Sequence, residues 1–170
     1  MLKATTLGRE GHRPASTDRS SDRIEEALSV VGRASNQVRL HERLLQAAGV
    51  RLDRGGASLL HKLHVHGDSL RVTALADLLG IDAPTVTRKV QQLERDGLVS
   101  RQSDPNDRRA SRIQLTPAGR RTFERILKAR RAWLDHLLQD WDEADLADFA
   151  RLLQRFSDSL AHEMEDARGN

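Results

Sequence analysis

A chain of 170 residues with 38% hydrophobic content can build one domain, or one domain with helical extensions. Its formal net charge is +3, and it has no Cys, which excludes disulfides, thiolate metal sites and a cysteine redox switch. No apolar run approaches the ~20 residues that span a bilayer, and the N-terminus lacks the apolar core of a secretory signal, so a soluble cytoplasmic protein is expected.

Residues 1–21 are polar, with Gly8, Gly11, Pro14 and a Ser/Thr/Asp cluster, and read as a disordered tail. Lys3, Arg9, Arg13 and Arg19 would make it a basic arm if it met a polyanion. A long helix is expected over about 22–48, within a segment 22–50. Ile24, Leu28, Val31, Val38 and Leu45 follow a seven-residue repeat that Ser35 and Glu42 interrupt, and Gly49 ends it. A shorter helix runs from the N-cap Asp53 to His66, and Gly67 and Asp68 then turn the chain.

The segment from Val72 to Leu79 reads as a short helix with Leu75, Leu78 and Leu79 inward. Gly80 supplies a turn, Ile81 a buried plug, and Asp82 an N-cap for the next helix. That helix spans Ala83 to about Arg95, with Pro84 in the first turn, where its missing N–H costs nothing. Val86, Val90 and Leu93 share one face. At about 100° per residue the opposite face presents Pro84, Arg88, Gln91 and Arg95, flanked by Thr87 and Gln92. Such a helix suits a DNA major groove: Arg can take guanine O6 and N7 bidentately, Gln can serve adenine, and Thr can meet a thymine methyl or a phosphate. An ordinary solvated face has the same pattern, so the helix alone does not decide.

Gly97 stops this helix. Leu98–Arg101 and Arg112–Leu115 alternate as strands do, and D-P-N-D-R-R between them is a turn. Asp107 can pair with Arg109 and stiffen that turn. Arg108 and Arg109 sit where a wing tip would enter a narrow minor groove. Thr116-Pro117 opens a helix running to about Asp140, rich in Arg and Lys at its start, with an apolar stripe of Phe123, Ile126, Leu127, Leu134, Leu137 and Leu138. A last helix, about 143–165, carries Leu146, Phe149, Leu153, Phe156, Leu160 and Met164 at steps of three and four among many acids. A monomer core helix would show this stripe too. The supply of long terminal helices around one small lobe favours a homodimer, with Ile24, Leu28, Val31, Leu146, Phe149, Leu153, Phe156 and Leu160 at its interface.

The runs L-A-D-L-L-G-I-D-A-P-T-V-T-R, L-E-R-D-G-L-V, D-P-N-D-R-R and L-T-P-A-G are ordered and spaced as in one family. From about Leu52 to Arg121 the sequence closely resembles the MarR family of bacterial winged helix-turn-helix regulators. The resemblance implies a mainly α fold with a small β-wing: a winged helix-turn-helix lobe over 51–117, flanked by dimerisation helices at 22–50 and 118–168. It implies a sequence-specific double-stranded DNA-binding regulator, an effector-responsive repressor acting as a homodimer on a pseudo-palindromic operator. By the same resemblance Thr85, Thr87, Arg88 and Gln91 are recognition-helix contacts, and Asp107 and Arg109 the wing pair. Arg71 departs from the pattern, standing where many members have a Ser or Thr cap, and the first-turn proline falls one place later, at Pro84.

Family members often respond to a small aromatic or phenolic acid held between the dimer helices and the lobe. His41, His61, His64 and Trp133 are candidates for such a pocket because they lie on the helices that would border it. The spacing His61-x-x-His64-x-His66 invites a metal, but no Asp, Glu or Cys completes a ligand set, and no metal or other cofactor is expected. An enzyme finds no support: there is no nucleophile–base arrangement and no glycine loop that cradles phosphate. A winged helix serving as a protein-interaction module is the alternative, and the arginines of the wing and recognition face argue against it.

Overall fold

Ten elements follow one another in the computed structural model, which describes residues 15–104 and 111–169. The chain divides into two units, residues 1–43 and 44–170. The first contains α1 (Ala15–Asn36), and α2 (Val38–Ala47) begins there. Two helices thus stand where one was expected. Gly32, Ser35 and Asn36 are weak helix formers gathered just before the break, and the Gln37 N–H donates to the Ala34 carbonyl in a tight four-residue turn. Helix α1 also begins at Ala15, inside the segment expected to be a tail.

Gly49 ends α2 with a φ of 63°, and the Val50 N–H returns to the Leu45 carbonyl. Asp53 caps α3 (Arg54–Val65) as expected, its carboxylate accepting from the Gly56 N–H at 2.8 Å. The sequence hid strand β1 (Ser69–Arg71), too short to show a period. It pairs antiparallel with β3 (Ser111–Leu115), which also pairs with β2 (Val99–Ser103), giving the order β1-β3-β2. Between β1 and β2 lie α4 (Val72–Leu79) and α5 (Ala83–Arg95).

These elements share one core. Leu59, Leu63, Leu75, Val86, Leu93 and Ile113 are all fully buried in it, with Phe123 of α6 (Pro117–Leu137) closing one side. A smaller cluster joins Leu45, Val50, Ala57 and Ile126. Ile81 is not the plug that was expected. The Gly80 φ of 65° sends the Ile81 N–H back to the Ala76 carbonyl, and the Ile81 side chain is left 43% exposed.

Helix α6 is locked to the lobe at its first turn. The Thr116 hydroxyl donates to the Gly97 carbonyl at 2.7 Å and accepts from the Gly119 N–H. A Cβ on Gly119 would lie 2.0 Å from the Leu98 carbonyl oxygen, so only glycine permits this approach. The expected inward stripe fails beyond Leu127, since Leu134 and Leu137 are exposed. Helix α7 (Glu143–Gly169) exposes nearly all of its apolar residues.

Candidate nucleic-acid interface

Helix α5 begins at Asp82, whose carboxylate accepts from the Thr85 N–H at 2.8 Å and from the Thr85 hydroxyl at 2.8 Å. These two bonds hold the Asp82 carboxyl below the usual carboxylate range, the hydroxyl bond contributing most. Val86, Val90 and Leu93 are fully buried, which fixes the rotation of the helix. The opposite face then presents Pro84, Arg88, Gln91, Gln92 and Arg95, all exposed, with Thr85 and Thr87 half-buried at its margin. The side chains of α5 expected to read DNA therefore lie together on one face.

The structure narrows what the two threonines can do. A hydroxyl has one proton. Thr87 donates its own to the Ala83 carbonyl at 2.9 Å, which leaves its methyl to meet a base. Thr85 donates to Asp82 and accepts from the Arg88 guanidinium at 3.1 Å. Neither hydroxyl has a proton left for a phosphate in this arrangement.

Two ion pairs brace the helix from outside. Lys89 reaches the Asp53 carboxylate of α3 at 2.5 Å. Burial opposes ionisation of Asp53, but the Lys89 ammonium and the Gly56 N–H outweigh it and lower its pKa. Near the C-terminal end of α5, Glu94 accepts from Arg101 of β2 at 3.2 Å.

The stem of the wing is an antiparallel ribbon in which Ser103 faces Ser111. The three tip residues singled out in the sequence, Asp107, Arg108 and Arg109, lie outside the described residues. The described anchor of the wing is one that sequence reasoning missed. Asp104 is 2% exposed and accepts from Arg71 Nε at 2.7 Å, with Arg112 3.7 Å away. Arg112 also donates to the Ser69 hydroxyl and carbonyl. Arg71 is indeed the N-cap residue of α4 and forms no side-chain cap; its guanidinium serves the wing instead. Asp104 was read only as a turn former, and nothing in its spacing points to a residue so far back along the chain.

Among the other candidates, His61 and His64 are brought together. Both rings lie against Phe123, with centroids 5.7 and 4.8 Å away. Burial, reinforced by the positive charges of Arg130 and Lys62, holds the His61 imidazole below its usual pKa. His64 Nδ1 is 3.7 Å from Asp68, which in turn pairs with Arg120 of α6. Trp133 is half-buried farther along α6, and His41 belongs to the unit 1–43. Among the described residues no three His, Asp or Glu side chains form a group suited to a metal.

Of the interface candidates, Ile24, Leu28 and Val31 of α1 are 43–60% exposed, and Phe149, Leu153, Phe156 and Leu160 of α7 are 40–50% exposed. Leu146 is half-buried. Among the described residues no helix is long and apolar enough to cross a membrane.

The family model of MarR matches residues 54–111, the stretch from α3 to the start of β3. The uncharacterized HTH-type transcriptional regulator YxaD of Bacillus subtilis strain 168 is 31% identical over 106 residues, 62% of this chain and 73% of that protein. The chain belongs to the MarR family. Solved MarR structures carry the same fold. A MarR family protein from Bacillus stearothermophilus superposes with a TM-score of 0.73 at 24% identity, over 85% of this chain and 97% of that one. A MarR transcriptional regulator from Methanosarcina mazei Go1 superposes with a TM-score of 0.62 at 26% identity, over 82% of this chain and 98% of that one. As a MarR protein the chain is a transcriptional regulator of the DNA-binding helix-turn-helix type. The α4–α5 pair is its helix-turn-helix and the β2–β3 ribbon its wing.

Proposed function

We propose that this MarR protein is an effector-responsive repressor that binds a pseudo-palindromic operator as a homodimer. The observation that carries the DNA-binding part is the face of α5. A helix held by three fully buried residues turns Arg88, Gln91 and Gln92 outward, beside a ribbon anchored at Asp104. Arg and Gln on such a face match the donor and acceptor pattern of a major groove. The homodimer is supported by the rows of exposed apolar residues along α1 and α7, since contiguous exposed apolar surface marks interaction sites. Repression and an aromatic-acid effector rest on the family likeness.

Replacing Arg88 tests the base-reading role. Arg88→Ala should cost about 1–3 kcal/mol on the preferred duplex and relax base preference at one position per half-site. Arg109→Ala should weaken all sequences more evenly and lower the salt slope by about one. Equal losses for Arg88→Ala on preferred and random duplexes would remove Arg88 from base reading.

A further inference from the structure

Three side chains at the start of α5, Thr85 half-buried between the exposed Asp82 and Arg88, form a chain of hydrogen bonds whose direction has only one solution. A carboxylate only accepts and a guanidinium only donates. Thr85 lies between them, 2.8 Å from Asp82 Oδ2 and 3.1 Å from Arg88 NH2. Its proton must therefore go to Asp82, and a lone pair must face Arg88. We propose that Asp82 and Thr85 are positioning residues for base recognition, a relay that aims the Arg88 guanidinium before DNA arrives. This deepens the assignment of α5 as the base-reading helix and rests on it.

The chemistry follows from what an arginine loses on binding. Its long side chain gives up rotamer freedom when it meets a base edge, and a guanidinium already held needs less ordering. The Thr85 oxygen takes one NH2 hydrogen, and the guanidinium has four more N–H donors to offer a guanine. The Asp82 carboxylate sharpens the relay in two ways. It draws the hydroxyl proton away from Arg88, and its negative charge lies on the same side as the guanidinium. The backbone bond from the Thr85 N–H to Asp82 Oδ1 keeps the carboxylate in place independently of the hydroxyl. The relay thus assigns Thr85 a different task from direct contact. A hydroxyl committed at both ends orients its neighbour rather than gripping a phosphate.

The test uses the full chain and a duplex selected by the wild-type protein from a random library. Binding is measured at fixed salt to that duplex and to versions altered at each position. Arg88→Ala should flatten the preference at one position per half-site, by roughly 5- to 150-fold. Thr85→Val keeps the size and branching of the side chain but removes the hydroxyl. It should lower discrimination at that same position by about 3- to 10-fold, and Thr85→Ser should restore it. Asp82→Asn still caps the helix but presents an N–H in place of an accepting oxygen, and should weaken discrimination at the same position. In an Arg88→Ala background, Thr85→Val should have no further effect, because its action passes through Arg88. Melting temperatures identify any variant whose loss is one of folding, and Thr85→Ser provides the comparison in that case.

Two results would overturn the relay. One is Thr85→Val and Asp82→Asn keeping full discrimination while Arg88→Ala loses it. The other is Thr85→Val costing as much without Arg88 as with it, which would make Thr85 a direct contact. A different failure, Arg88→Ala leaving every position unchanged, would remove α5 as the base reader and the relay with it.

Discussion

Arg88 and Gln91 were legible as residues because a helix buried at Val86, Val90 and Leu93 has only one other face. Thr87 was legible as a neighbour of that face and Thr85 only through the family resemblance, and neither in its role. Whether a hydroxyl proton is free depends on which acceptor lies within reach, here Ala83 for Thr87 and Asp82 for Thr85. His61 also carries a consequence at this scale. Its pKa is lowered in the fold, so between that value and the unfolded value near 6.5 the unfolded chain binds more protons. The contribution is complete above about pH 6.5 and is lost as pH falls through the folded pKa. His61→Phe keeps an aromatic ring against Phe123 and cannot titrate. Wild-type stability, followed by chemical denaturation from pH 7 to pH 5, should fall more steeply than that of the variant. Parallel curves would mean that burial does not disfavour the charged ring.

Among the elements, those bounded by a clear cap or a stop glycine were the easiest to foresee. Helices α5 and α6 begin where Asp82 and Thr116 cap them, and the ribbon begins after Gly97. Three features were hidden, each for a physical reason. Strand β1 is three residues long, and its place in the sheet depends on β3, more than forty residues away. The break at Gln37 is a local balance among weak helix formers. Asp104 and Arg71 meet only once the sheet has formed. Gly119 belongs to this scale as well, since it sets how closely α6 approaches the strand that follows α5. Gly119→Ala places a methyl against the Leu98 carbonyl and should destabilise the protein by about 1–3 kcal/mol or more. A melting temperature equal to wild type would show that α6 can move aside at no cost.

At the scale of the molecule, the sequence placed apolar stripes on the terminal helices but could not tell a monomer's core from an interface. Leu153, Phe156 and Leu160 along α7 are exposed, so α7 is not a core helix of its own chain, which favours the proposed interface. The proposed homodimer would remove this surface from water. Replacing both Leu153 and Phe156 by Asp should yield monomers at micromolar concentration, seen by sedimentation, with helical content retained. The same variant should bind duplex DNA far more weakly, because two half-sites would no longer be engaged together. A variant that stays dimeric would place the interface elsewhere.

In the proposed homodimer two copies of the chain present two α5 helices to one symmetric site. Footprinting on the intergenic DNA upstream of the protein's own gene, at fixed salt and against a random duplex, tests it most directly. Protection of a two-fold-symmetric site of roughly 20 base pairs, with half-sites about one helical turn apart, is the expected result. Weak, salt-sensitive protection with no boundary there or in a wider genomic selection would contradict it, and would leave the winged helix as a surface for a protein partner.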